Sequence, residues 1–209
     1  MVTKKRTQFP EPEHRTQPWV VGPRADRTRK KILEAAKTVF LERGYSGVRV
    51  EDIADAAAVS RATFYVYFPS KRDAFLAIGT GTVEGGIRLI KELEQIPAPA
   101  TREALERWTT SYLDLLDGLG AFIRMWRQSA WADPDMEWVG HQAQLAHARR
   151  LGLQLDRLRG RSVGDPALQG LAVVSMIEGI WNFWRVADTS YTSDEIVALL
   201  TVVTEDLLR

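Results

Sequence analysis

Thirteen residues, Val59 to Lys71 (VSRATFYVYFPSK), bring hydroxyl, aromatic and cationic side chains together on one short segment. Ser60 and Thr63 carry small hydroxyls, and the Thr63 methyl adds an apolar edge. The Arg61 guanidinium matches the two acceptors on the major-groove edge of guanine, and it equally suits a phosphate. This chemistry belongs to a surface that meets a polyanion rather than to a catalytic centre.

Such a segment must be presented by other elements. Ile32, Ala36, Val39 and Phe40 recur at helical spacing and predict a first helix from about Asp26. Gly44 supplies its stop. Val50, Ile53, Ala54 and Ala57 give a second helix one apolar stripe. The third runs from Arg61 to Tyr67, with Phe64 and Phe68 as its buried face. Pro69 closes it, since proline lacks the amide that would continue the ladder. Two short helices joined by a tight turn, the second polar and aromatic, describe a helix-turn-helix.

The whole chain of 209 residues has a net charge of only +1, but its charge is uneven. Met1 to Leu76 holds 15 Lys and Arg against 9 Asp and Glu, and the remainder holds 13 against 18. A basic N-terminal third on an acidic body suggests that a polyanion meets one end. With no cysteine, disulfides, thiolate metal sites and a cysteine nucleophile are excluded. No apolar run approaches a membrane span of about 20 residues, and no signal peptide is evident, so a cytoplasmic protein is expected. Residues 1–25 read as a basic arm carrying Lys4, Lys5, Arg6, Arg15 and Arg24. It is either a DNA-contacting tail or a leader without a role.

Beyond Leu76 the pattern stays helical. Ser70 caps a long fourth helix from Lys71 that contains Gly79, Gly81, Gly85 and Gly86, which points to close packing, a kink or a hinge. Thr101 opens the next helix, Gly118 and Gly120 break it, and Asp133-Pro134, Asp165-Pro166 and either Thr192 or Ser193 open three more. The predicted fold is all-α with about nine helices. It divides into an arm (1–25), a helix-turn-helix domain (26–70) and a larger helical domain (71–209). His141 and His147 fall on different helix faces, the acids have no metal-ligand spacing, and no phosphate loop precedes a helix. No enzyme activity, cofactor or metal is expected.

The larger domain is rich in rings instead. Trp108 and Tyr112 lie four apart on one predicted helix, and Trp181 and Trp184 three apart on another. Phe122, Met125, Trp126, Trp131, Trp138 and Phe183 add to them. These side chains either fill a solid core or line a cavity with Glu178, Asn182 or Gln128 as polar anchors. Leu168, Leu171, Val174 and Ile177 on one late helix, with Ile196, Leu199, Leu200, Val203 and Leu207 on the last, either join a second copy or face the chain's own core.

Gly44 to Leu76 resembles the N-terminal signature of TetR/AcrR-family transcriptional regulators. Ile53-Ala54, Val59-Ser60, Thr63-Phe64-Tyr65, Tyr67-Phe68 and Ser70-Lys71 fall into the family's register. The chain departs from it where Arg49 and Val50 stand near a frequent Thr, and where Ala58 stands at a turn position usually held by Gly. The resemblance implies that the third helix enters the major groove of operator DNA. Arg49, Ser60, Arg61 and Thr63 would then meet DNA, and Tyr65, Tyr67 and Lys71 would clamp its backbone, Tyr65 having a competing place in the core. It also implies a homodimer through the last two helices on a palindromic operator. It favours a small, lipophilic effector in the aromatic interior that releases a repressor from DNA. A constitutive DNA-binding architectural protein without an effector is the alternative. Lys71→Ala should weaken binding to all sequences, whereas Arg61→Ala should also relax base choice. Gel-shift titrations on operator and scrambled duplexes test this, and equal losses on both for Arg61→Ala would reduce that residue to a backbone contact.

Overall fold

A computed structural model describes residues 22–130, 134–187 and 189–209, with side chains of 128–130, 134–137 and 139 left aside. Most of the 1–25 arm and Trp131 therefore lie outside the described residues. Eight helices are present among them: α1 Pro23–Gly47, α2 Val50–Ala56, α3 Arg61–Tyr67, α4 Lys71–Glu94, α5 Arg102–Ala130, α6 Pro134–Arg159, α7 Pro166–Val186 and α8 Ser193–Leu207. The all-α reading holds.

Local chemistry sets most of the boundaries. Pro23 starts α1, and Gly44 interrupts it with φ 70° and ψ 159°. Ser60 Oγ accepts from the Thr63 amide at 3.0 Å and Ser70 Oγ from the Asp73 amide at 3.2 Å, capping α3 and α4. Asp165 accepts from the Ala167 and Leu168 amides at the start of α7. Thr192 and Glu195 form a reciprocal capping box on α8.

The count falls below nine because Gly118 and Gly120 do not break α5. An interior glycine costs a helix about 1 kcal/mol, which packing offsets here. A Cβ on Gly120 would lie 2.2 Å from the Trp181 ring, so its absence lets α7 approach. The Gly118 carbonyl also accepts from Lys37 Nζ of α1 at 2.8 Å. Packing explains three of the four α4 glycines as well, Gly81 facing open space. A Cβ would meet Trp126 at 2.9 Å from Gly79, Leu115 at 2.5 Å from Gly85 and His147 at 2.9 Å from Gly86.

Two apolar cores result. One joins α1, α2, α3 and the start of α4 through Phe40, Phe64, Phe68 and Phe75, and takes Phe122 and Met125 from α5. The other unites the end of α4 with α5, α6, α7 and α8. Val174, Ile177, Ile196 and Leu200 are buried in this second core, so these apolar residues face their own chain. The tightest seam is α6 against α7, where a Cβ on Gly170 would stand 1.7 Å from the Ala148 carbonyl oxygen.

Gly170→Ala should cost at least about 2 kcal/mol by overpacking against backbone. That corresponds to a thermal midpoint lower by about 4–8 °C. Ala58→Gly should instead raise the midpoint by about 2 °C, because Ala58 sits in the left-handed region at φ 46°. Differential scanning calorimetry reads both, and unchanged midpoints would contradict the packing and turn assignments.

Candidate functional site

The reader is assembled from α1, α2 and α3. Phe64 and Phe68 turn inward, and the Arg29 guanidinium of α1 covers the Phe68 ring at 5.3 Å. Ser60, Arg61 and Tyr65 are exposed, while Thr63 and Tyr67 are half-buried. Tyr65 is 44% exposed with its ring edge-on to Phe64 at 5.7 Å. The Ser60 and Thr63 hydroxyls lie 2.8 Å apart, and Arg61 Nη1 pairs with Glu51 Oε1 of α2 at 2.8 Å.

Lys71 reaches back rather than out. Its Nζ donates to the Tyr45 carbonyl at 2.9 Å and the Val48 carbonyl at 2.7 Å, and lies 4.7 Å from the centre of the Tyr45 ring. Burial pushes its pKa below the ordinary lysine value. Two of its three ammonium protons thus pin the α1–α2 corner to α4, leaving one for an outside acceptor. The start of α2 is capped without a threonine: the Arg49 amide donates to Asp52 Oδ2 at 2.7 Å, and Arg43 Nη1 holds Asp52 Oδ1 at 2.8 Å. The hydrogen bond from the Arg49 amide is the main force holding the Asp52 carboxyl below its usual range.

The expected aromatic lining is divided. Trp108, Tyr112 and Trp181 are buried in the C-terminal core, with Glu178 beside them in an ion pair with Arg127. Phe122 and Met125 belong to the N-terminal core, and Trp126 packs against it, stacked on Phe75 at 5.0 Å. Trp138 and Asn182 are exposed. Every indole in the C-terminal core has a polar tie: Trp108 Nε1 donates to the Leu89 carbonyl at 3.0 Å and Trp181 Nε1 to Asp117 Oδ1 at 2.7 Å. Tyr112 Oη and His147 Nε2 are 3.5 Å apart. Burial, with Glu178 adding to it, raises the Tyr112 pKa. Burial also raises that of Glu178, against the opposing pull of Arg127. A cleft of about 350 Å³ opens beside Trp108, lined by Glu92, Gln95, Ile96, Arg107 and Ser111.

Residues 32–78, which span α1 to α4, match the sequence profile described as "Bacterial regulatory proteins, tetR family". This N-terminal part of the chain carries the sequence pattern of that family. The HTH-type transcriptional regulator EthR of Mycobacterium tuberculosis is 27% identical over 140 residues, covering 61% of this chain and 64% of EthR, under two thirds of that relative. The HTH-type transcriptional repressor DhaR of a Mycobacterium species is 34% identical over 100 residues, 46% of this chain and 48% of DhaR. Among solved structures, the TetR family transcriptional regulator PfmR of Thermus thermophilus superposes with a TM-score of 0.66 at 25% identity, over 84% of this chain and 97% of PfmR.

Against the TetR-family pattern, both local departures have a physical answer. Asp52 closes the start of α2 from inside the helix, and Ala58 adopts the strained turn that Gly would take freely. Sequence reading places Val66 near the surface of α3 without a role and passes over Ala62, although both are exposed two positions from Phe64. It also missed Arg124, Arg127 and His147, whose polar atoms meet the interior only through tertiary contacts.

His147 makes the interior sensitive to acid. Burial, and then the Arg150 charge, hold its imidazole below the ordinary histidine value of 6.5. A pKa depressed by folding contributes stability above the unfolded value and loses it as pH falls through the folded value. The thermal midpoint of the unmodified protein should therefore drop more between pH 7 and 5 than that of His147→Gln. Parallel declines would contradict a buried neutral ring.

Proposed function

We propose that the protein is a transcriptional repressor. It binds a palindromic operator as a homodimer in the cytoplasm and leaves DNA when a small, lipophilic effector enters its C-terminal domain. The observation that carries this reading is the pairing of a family-type reader with an exposed apolar face on α7 and α8. Leu168, Phe183 and Val186 of α7 are 67%, 63% and 68% exposed. They share one helix face with the small residues Ala172, Ser175 and Gly179. Leu199 and Val202 extend this surface on α8. A patch of this kind marks an interaction site, and a second copy offers a self-complementary cover for it.

Dimerisation answers a physical need. One three-helix reader contacts too few base pairs for selectivity, whereas two readers set about 34–36 Å apart occupy successive major grooves. The effector would act around Trp108, Tyr112 and Trp181, with Glu178 and Arg127 as polar anchors. It shifts the readers only if it binds the released form more tightly than the DNA-bound form.

Leu168→Glu combined with Phe183→Glu should convert a dimer to a folded monomer in size-exclusion chromatography and weaken operator binding by at least about ten-fold, since each copy then binds alone. A dimer that survives both charges would contradict this interface. Quenching of tryptophan fluorescence by lipophilic compounds should track their release of the operator duplex. A compound series that binds without releasing DNA would favour a constitutive architectural role.

A further inference from the structure

The outward pole of α3 carries no hydrogen-bonding side chain. On a helix of about 3.6 residues per turn, positions two before and two after a given residue lie nearly opposite it. Phe64 is the fully buried anchor of α3, so Ala62 and Val66 stand furthest from the core. Both are exposed, Val66 at 39%. Three of the polar side chains around them already have partners. The Ser60 and Thr63 hydroxyls are 2.8 Å apart at the helix cap, and Arg61 is tied to Glu51 at 2.8 Å. Methyl groups therefore occupy the centre of the exposed face of α3, opposite Phe64. In the major groove the thymine 5-methyl is the base feature that an apolar side chain matches.

We propose that Ala62 and Val66 select DNA by packing against thymine 5-methyl groups in each half-site. The inference rests on the assignment of α3 as the DNA reader and adds the base chemistry that it recognises. Arg61 and Tyr65 flank this apolar pole on one side, and Thr63 and Tyr67 on the other. The flanking side chains then fix register on the duplex, while the pole tests for a methyl. A cytosine or guanine at the contacted position offers no 5-methyl and places a polar edge against Val66, which desolvates that edge without a partner.

The test uses duplexes enriched from a random library by the full-length protein. Each thymine of the enriched half-site is replaced in turn by deoxyuridine, which pairs identically and lacks only the methyl. At contacted positions the dissociation constant should rise about four-fold for each methyl removed, the value expected for one buried carbon. Val66→Ala should bind the thymine and deoxyuridine duplexes nearly equally at the position it meets. An enriched site that contains no thymine, or that binds as tightly after full deoxyuridine replacement, overturns the proposal while leaving the DNA-reader assignment intact. A library from which no sequence is enriched overturns that assignment and the proposal with it.

Discussion

The ring of Phe75, one turn into α4, lies between the two halves of the molecule. On one side it meets Phe40 edge-on at 5.2 Å and Tyr45 at 4.8 Å, both from α1. On the other it lies parallel to Trp126 at 5.0 Å and close to Phe122 at 5.0 Å, both from α5. Aromatic contacts of this geometry add about 0.5–1.5 kcal/mol each beyond the area they bury. The orientation of the reader on the body therefore depends on where α5 holds these rings. Lys37 reinforces the same junction through the Gly118 carbonyl.

That arrangement gives α5 two audiences. Its Phe122 and Trp126 side faces the reader, while Gly120 and Asp117 receive Trp181 of α7. Because Gly120 brings α5 and α7 into close contact, a movement of Trp181 cannot be absorbed by an intervening void. In the proposed mechanism an effector near Tyr112 and Trp181 moves α5 as a body and tilts the reader through Phe75. Gly85 of α4, Gly152 of α6 and Gly170 of α7 serve the same end: they replace side-chain cushions with direct helix contact, so displacement is passed on rather than dissipated.

Much of this was legible in the chain before any coordinates. The bounds of α2 and α3, the caps at Ser70, Asp165 and Thr192, and the inward Phe64 and Phe68 follow from spacing and local hydrogen-bond chemistry, which act within a few residues. Gly118 and Gly120 misled because the same residue that ends an isolated helix also permits close packing, and only the partner Trp181 decides between them. The candidate lining divided for a similar reason. Phe122 and Trp126 sit on the same helix as Trp108 and Tyr112, but the direction that each faces depends on α4 and α7. Lys71 shows the limit most sharply. Its place in the family register is plain from sequence, yet its bonds to the Tyr45 and Val48 carbonyls span more than twenty residues of chain.

The central claim is that two copies of α3 are held at a fixed separation on one duplex. Hydroxyl-radical footprinting on an enriched operator, combined with a stoichiometric titration, measures it directly. The account predicts two chains per duplex and two protected patches centred about one helical turn apart, near 34–36 Å. A single patch with one chain per duplex, or continuous protection without that spacing, would contradict it.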